Sequence, residues 1–273
     1  LPAGNYEFKV AEGLSWETNY GDGGAKGGNN ITLSVPADGT VVTISHVAST
    51  HITTVTTSKA GSAPDLKTAK AIWVDRDTIA WPTASIPAGV DPATLTWRLH
   101  WSPSGTLTVD AESIVAADAK QAVLVRDPAG FDQTTLGAHP ELREGYLALT
   151  VDRKTVKLAQ EILTSQVAVA QYDDLGQLSD ATGVQIPSVL DDLYGATAKK
   201  QAFGAIFDAS RITFRVWAPT AQQVTLLTWP AGSADRDASL ATRTTMKREA
   251  SGSWSTATSK RLENVRYLYE VKV

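Results

Sequence analysis

The 273-residue chain contains no cysteine and a single methionine, Met246. The lack of cysteine excludes disulfides, thiolate zinc sites and cysteine nucleophiles. The chain also lacks a polybasic block, and its formal net charge is −4, so sequence-independent binding to nucleic acid or to an anionic membrane is disfavoured. No apolar run approaches the ~18 residues that a membrane-spanning helix needs. We therefore predict neither nucleic acid nor membrane as a partner.

The common signatures of a hydrolase active site are missing as well. There is no Gly-x-Ser-x-Gly elbow and no His-Glu-x-x-His helix, and the four histidines are scattered. Two pairs of adjacent acids, Asp173–Asp174 and Asp191–Asp192, are the candidates for catalysis by paired carboxylates. Adjacent acids are more often solvated surface groups, so we predict no catalytic residue in this chain.

One glycine-rich loop, Gly21–Gly28, invites a ligand-binding interpretation. It does not end in Gly-Lys-Ser/Thr, so a phosphate cradle is disfavoured. Asp22, Asn29 and Asn30 offer oxygen ligands to calcium, but the acid at the twelfth position of an EF-hand is missing. We predict no cofactor, with calcium as the alternative, and a flexible hairpin connection as the role of the loop.

Most of the chain shows the pattern of short strands, since β-branched and aromatic runs are separated by Gly, Pro, Asn and Asp. In Leu95–Trp101, Leu and Trp alternate with Thr, Arg and His, which predicts a half-buried strand. Ala218–Gln223 lies between two strand-like runs and predicts a hairpin or a sheet corner. Helix is indicated after the capping residue Asp152 and over Pro187–Tyr194, with Gly195 as its end. The predicted class is mainly β.

Composition changes at two places and divides the chain into three units. Residues 58–68 are small and polar and predict a linker, and a softer break lies at 195–204. The outer units, 1–57 and 204–273, share a Tyr-x-aromatic-x-Val strand, which favours one sandwich type used twice. Both are shorter than the ~100 residues of a usual β-sandwich, so we expect both chain ends to lie inside domains. The middle unit covers residues 69–203.

Tryptophan is the most informative residue type, because the eight Trp outnumber both the seven Tyr and the five Phe. Flat aromatic faces stack on the apolar faces of sugar rings. Trp97, Trp101 and Trp217 lie at alternating strand positions, and we assign them to cores. Trp16 lies in a polar segment after a strand that carries Lys9, so we predict an exposed platform there.

The segments Gly4–Val10 and Gly28–Ile31, with Trp16 between them, resemble the glycogen-binding modules of carbohydrate-binding module family 48. In that family a strand lysine, a following tryptophan and the asparagine before the last strand contact α-glucan. The resemblance implies these contact roles for Lys9, Trp16 and Asn29.

Five sequence segments extend the resemblance to the whole chain. They are Leu1–Val10 with Asn19–Gly21, Ala71–Pro82, Thr182–Tyr194, Val216–Gln222 and Tyr267–Val271. Together they resemble the non-catalytic N-terminal region of bacterial type I pullulanases, in glycoside hydrolase family 13. The implied fold is a tandem of immunoglobulin-like β-sandwich modules, with one or two short helices in the middle domain.

The resemblance also implies a role for each unit. Residues 1–57 are the C-terminal half of an accessory glucan-binding-like sandwich, 69–203 the second N-terminal pullulanase domain, and 204–273 a family 48 sandwich cut short. Glu270 stands in the last unit where Lys9 stands in the first, which implies a weakened sugar site and mainly a docking role there.

The implied function is glucan binding and scaffolding for a debranching enzyme that hydrolyses α-1,6-glucosidic bonds in a barrel absent from this chain. The expected partners are α-glucan, as starch, glycogen or pullulan, and that catalytic barrel. The expected location is extracellular. The alternative is a purely structural set of β modules with no working sugar site, which a buried Trp16 would favour.

Overall fold

The computed structural model describes two compact units. The first comprises Leu1–Ala63 and Ala84–Thr94, and the second comprises Pro64–Thr83 and Leu95–Val273. The described residues are 2–35, 40–59, 64–87, 89–110, 113–230, 232, 237–258 and 265–273.

The first unit is built from pairs of antiparallel strands. Its described strands are β1 (Gly4–Phe8), β2 (Val10–Ala11), β3 (Asn19–Tyr20), β4 (Ile31–Val35), β5 (Thr40–Val47) and β6 (Ile52–Lys59). β1 pairs with β4, β2 with β3, and β5 with β6. Ile31, Leu33 and Val35 are buried on β4 whereas the residues between them are exposed, so this strand has one core face. Single 3₁₀ turns lie at Asp22–Gly24 and Pro92–Thr94.

The second unit begins with a closed barrel. The strands up to the end of the barrel are β7 (Asp65–Asp75), β8 (Thr78–Pro82), β9 (Thr96–Ser102), β10 (Thr108–Val109), β11 (Ile114–Val115), β12 (Lys120–Asp127), β13 (Tyr146–Val151), β14 (Gln166–Tyr172) and β15 (Leu178–Gln185). The barrel order is β12-β13-β8-β7-β15-β14-β9, and β10 pairs only with β11. The pairing of β9 with β12 closes the ring, and β15 pairs with β7 in parallel. Trp73, Trp81 and Trp97 are fully buried there.

Strand β9 follows its predicted alternation only in its first half. Trp97, Leu99 and Trp101 are buried, as predicted, and Arg98 is exposed. His100, predicted to face solvent, is only 2 % exposed, because its ring is hydrogen-bonded to the buried Tyr172 hydroxyl at 3.0 Å. The prediction of a half-buried strand is therefore wrong at His100.

Both predicted helices are present, with changes in their bounds. The helices are α1 (Gln133–Ala138), α2 (Arg153–Lys157), α3 (Ala159–Leu163), α4 (Pro187–Leu190) and α5 (Ala196–Ala198). Asp152 caps α2 as predicted, accepting from the amides of Lys154 and Thr155 at 2.7 and 2.8 Å. Gly195 does not end its helix: a π-helical turn, Asp191–Gly195, continues into α5, and the Lys199 amide donates to the Gly195 carbonyl.

The chain ends in two facing sheets. Their strands are β16 (Gly204–Phe207), β17 (Ile212–Trp217), β18 (Gln223–Trp229), β19 (Thr242–Thr245), β20 (Lys247–Arg248), β21 (Ser253–Thr258) and β22 (Arg266–Lys272). One sheet has the order β16-β17-β21-β20 and the other β19-β18-β22. Ala218–Gln223 therefore leads from one sheet to the other, which makes it a sheet corner. Phe214, Leu226 and Trp254 are among the buried residues between the sheets.

The mainly β class is confirmed, with mostly strands and few short helices. Of the predicted linker 58–68, Ser58 and Lys59 end β6, Asp65–Thr68 begin β7, and residues 60–63 lie outside the described residues. Among the helices described, none is long and apolar enough to cross a membrane.

Candidate functional site

Trp16 lies in the connection between β2 and β3. The pairing of Val10 with Tyr20 and of Ala11 with Asn19 forms the hairpin. The Asn19 side-chain amide donates to the Trp16 carbonyl at 2.8 Å, which fixes the backbone of the connection. The Trp16 side chain is 71 % exposed. A held backbone with a solvent-facing indole is what an exposed platform requires.

Strand register brings Lys9 and Asn29 to one end of the β1–β4 ladder. Phe8 and Ile31 form the last pair of that ladder. Lys9 follows Phe8 directly and is half-buried, whereas Asn29 precedes Ile31 by two residues and is exposed. The chain continues from Lys9 into the β2–β3 hairpin, and Trp16 lies on this hairpin. The three predicted contact residues thus belong to consecutive parts of one folded segment.

Gly21 shapes the loop that carries Asn29, a role that the sequence alone did not indicate. A Cβ atom on Gly21 would lie 1.9 Å from the Asn29 carbonyl oxygen. The same oxygen accepts from the Asp22 amide at 2.8 Å, and the Gly21 amide donates to the Ala25 carbonyl at 2.9 Å. The loop is therefore a hydrogen-bonded turn.

Two of the three residues suggested for calcium make hydrogen bonds within the protein. The side-chain NH₂ group of Asn30 donates to the Glu7 carboxylate at 2.9 Å, and the backbone carbonyl of Asn29 accepts from the Asp22 amide. In the part of the chain that the structure describes, no three or more His, Cys, Asp and Glu side chains are grouped as a metal site would need.

His51 is a neighbour that sequence reasoning missed. Its ring lies parallel to that of Tyr20, with centroids 3.7 Å apart, and its Nδ1 atom is 3.7 Å from the Glu12 carboxylate. This stack fixes the β5–β6 turn against the hairpin that carries Trp16. No sequence signal pointed to this stack, because His51 is distant from Tyr20 in the sequence. The backbone of His51 has a φ of 55°.

Three family matches divide the chain. Residues 1–53 match the pullulanase X25 domain, residues 68–192 the pullulanase N2 domain, and residues 194–273 carbohydrate-binding module 48, the isoamylase N-terminal domain. The chain carries a pullulanase X25 domain, a pullulanase N2 domain and a carbohydrate-binding module 48 domain, in that order.

Sequence relatives and solved structures agree with these matches. The pullulanase of Klebsiella pneumoniae is 33 % identical over 75 % of this chain, which spans 17 % of that protein. The maltotriose complex of PulA from Klebsiella pneumoniae is 30 % identical with a TM-score of 0.64, over 78 % of this chain and 20 % of that one. Ligand-free PulA from the same organism is 25 % identical with a TM-score of 0.64, over 99 % of this chain and 28 % of that one.

In the module 48 sandwich, Glu270 stands at the place in the Tyr-x-aromatic-x-Val pattern at which Lys9 stands in the first unit. It lies within β22, opposite Thr225, and its carboxylate is paired with Arg243. Where the first domain has the ammonium group of Lys9 as a donor, this domain has a carboxylate that is already paired with Arg243. This pairing is consistent with the implied loss of a sugar site at that position.

The acid pairs of the N2 domain have structural contacts. Asp173 accepts from the amides of Leu175 and Gln177 at 3.0 and 2.8 Å and so caps a turn. Asp192 binds the Arg76 guanidinium at 2.9 Å, and this hydrogen bond lowers the pKa of the carboxyl group. Asp173 and Asp192 therefore each hold a structural contact.

The assignment of tryptophans to cores is confirmed for Trp97 and Trp101 and wrong for Trp217. Trp217 is the last residue of β17, and its side chain is 37 % exposed. Ile212 and Phe214 are buried on the inner face of the same strand, so the alternation itself sends Trp217 outward. Counting from the buried Phe214 would have indicated this.

Proposed function

We propose that this chain is a glucan-binding and scaffolding region of a pullulanase, and that Lys9, Trp16 and Asn29 contact the α-glucan. The observation that carries the proposal is the 71 % exposure of the Trp16 side chain on a hydrogen-bonded hairpin. A sugar ring that stacks on the indole removes apolar surface from water, which favours binding.

The proposed binding mode follows from the chemistry of the three side chains. The Trp16 ring stacks on the apolar face of one glucosyl unit. The ammonium group of Lys9 and the side-chain amide of Asn29 supply donors to hydroxyl groups of the same or the next unit. Maltotriose, the ligand of the related PulA structure, is an oligosaccharide of this class and serves as a probe.

The scaffolding role rests on contacts between the N2 domain and the module 48 sandwich, which belong to one compact unit. The Gln222 side-chain amide donates to the carbonyls of Pro103 and Thr164 at 2.8 and 3.0 Å. Arg248 donates to the Pro219 carbonyl at 2.7 Å and reaches the Tyr194 hydroxyl at 3.5 Å. The two Gln222 bonds join the barrel to the sandwich, and the Arg248 bonds link the sheet corner at Pro219 to the helix that carries Tyr194. Together these bonds favour a rigid support for a catalytic domain.

The purely structural alternative is favoured by one observation, the Arg243–Glu270 pair, and only for the last module. We propose docking as the main role of that face. For the whole chain we propose no hydrolase activity of its own and an extracellular location.

Titration of the purified chain with a branched maltodextrin tests the first-domain site. Trp16→Ala is expected to weaken binding by about 1–3 kcal/mol, by analogy with aromatic platforms for bases, or ~5- to 150-fold. Trp16→Phe keeps an aromatic face and is expected to lose less. Leu175→Ala, which removes another exposed apolar side chain, is the matched control and should bind as the wild type does.

Equal affinity in the wild type and Trp16→Ala would contradict the site. Release of reducing ends from pullulan by the protease-free chain would contradict the absence of catalysis.

A further inference from the structure

A small pocket lies in the second unit where the helix of residues 187–198 meets the outer side of β17. Its volume is about 230 Å³, below the ~300–1,000 Å³ of pockets for drug-sized ligands. It is therefore of a size for one ring. The pocket is lined by Asp191, Gly195, Ala198, Lys199, Phe203 and Trp217.

Two aromatic side chains form the apolar part of this pocket. Trp217 is 37 % exposed and Phe203 is 44 % exposed. The indole Nε1 of Trp217 donates to the Ser251 carbonyl at 3.1 Å, which fixes the ring while part of it stays open to solvent. The indole is thus oriented before any ligand arrives, so little side-chain entropy is lost on binding.

Two charged side chains of opposite sign lie at the same pocket. Asp191 and Lys199 are both exposed, and within the described residues neither side chain makes an ion pair or a hydrogen bond. The adjacent Asp192, by contrast, is paired with Arg76. The pocket therefore offers one free carboxylate acceptor and one free ammonium donor beside an aromatic surface.

This combination of groups fits a sugar ring. A sugar presents an apolar face to an indole and hydroxyl groups, which both donate and accept, to a carboxylate and an ammonium. One lysine is too little positive charge for a phosphate backbone. We propose that Trp217 and Phe203 form a second platform for one glucosyl ring of an α-glucan, with Asp191 and Lys199 as hydrogen-bonding groups; the choice of α-glucan rests on the proposed function.

The proposed pocket is distinct from the position at which the resemblance places a lysine in this module. Trp217 lies on the outer side of the β16-β17-β21-β20 sheet, whereas Glu270 lies in the β19-β18-β22 sheet. Ion pairing of Glu270 therefore does not occupy this pocket.

Titration of the full chain with maltotetraose, followed by NMR of the indole N–H groups, tests this site separately from Trp16. The proposal expects the Trp217 resonance to shift and to saturate in the wild type and equally in Trp16→Ala. Phe203→Ala should weaken this response at least about fivefold, with an unchanged melting curve. Phe207→Ala is the matched control, because Phe207 is an exposed phenylalanine on β16 that does not line the pocket. Cellotetraose is the control ligand.

The possible outcomes distinguish the two sites. A Trp217 response that persists in Trp16→Ala and falls in Phe203→Ala supports the second platform, whatever Trp16 does. A Trp16 response without any at Trp217 overturns the second platform and leaves the first-domain site standing. If a protein partner shifts the Trp217 resonance and maltotetraose does not, the second platform is overturned too. Absence of both responses contradicts this site and the proposed function together.

Discussion

The chain uses one strand pattern twice, and the two copies have different surroundings. Near the start, the pattern is split into β1 and β2 by Lys9, and the Tyr6 hydroxyl donates to the nearby Pro2 carbonyl. Near the end, it forms one continuous strand, β22, and Tyr267 and Tyr269 pack against the sandwich core. Burial raises the pKa of Tyr269 to about 12.

The difference teaches where binding chemistry can arise. A residue inside a continuous ladder, such as Glu270, is held beside its strand neighbours and has Arg243 as its partner. Lys9 lies at an interruption between two ladders, beside a loop that carries Asn29 and before a hairpin that carries Trp16. The shared pattern predicts the strand, whereas the interruption creates room for a site.

The largest effect that can break this comparison comes from Gly21. Gly21→Ala would place a Cβ atom 1.9 Å from the Asn29 carbonyl, a backbone atom that cannot move without opening the turn. We expect the first unit to be destabilised by about 3 kcal/mol, the upper end of overpacking effects, and glucan binding to fall with it. Denaturant unfolding and maltodextrin titration measure the two losses.

Gly137→Ala is the matched control, because a Cβ on this helical glycine would meet nothing within 4 Å. It is expected to leave binding unchanged and to stabilise the chain slightly. If Gly21→Ala matched this control, the tight turn would have no part in the site.

A second effect of similar size is the loss of stability of the N2 domain at acidic pH. Burial, and to a smaller extent the charge of Arg98, lowers the pKa of His100 from 6.5 to about 4. The folded state thus holds His100 neutral. The stability that depends on this neutral form is fully present above pH 6.5 and is lost as the pH falls to about 4. Over that interval we expect the free energy of unfolding to fall by about 3 kcal/mol.

Unfolding curves between pH 4 and 7 check this expectation. His100→Gln should be less stable at pH 7 but should show a flatter pH dependence. His46→Gln, at an exposed histidine of the first unit, should keep the wild-type slope. An unchanged slope in His100→Gln would assign the acid sensitivity to other groups.

The sequence predicted the elements whose signals are local. Alternation identified the buried face of β9, a capping aspartate marked the start of α2, and the polar surroundings of Trp16 indicated its exposure. What it missed depends on contacts between distant residues. The stack of His51 on Tyr20 and the burial of His100 against Tyr172 join residues that no local pattern relates.

A moderate effect separates the two equivalent positions directly. Lys9→Ala is expected to weaken maltodextrin binding by about 1 kcal/mol, the size of one hydrogen bond, or about fivefold. Glu270→Ala should leave the affinity unchanged, because Glu270 is paired with Arg243 and faces no proposed sugar site. Calorimetric titration of both variants decides this. A loss in Glu270→Ala as large as in Lys9→Ala would mean that the two copies act alike.

The smallest effect tests what the Arg243–Glu270 pair contributes to stability. Both side chains are about half exposed, with 48 % and 49 % of their surfaces accessible, so solvent screens their attraction. We expect a double-mutant cycle with Arg243→Ala and Glu270→Ala to give a coupling energy below about 1 kcal/mol, and less at high salt.

Glu270→Lys, which recreates the residue type of Lys9, would place two cations together, yet the same screening limits its cost to a similar size. Such a variant should gain no glucan binding, because position 270 stays inside the continuous ladder of β22 with no interruption beside it. A coupling energy of several kcal/mol would show that the pair holds the sandwich together, and a gain of binding in Glu270→Lys would show that the lysine alone makes the site.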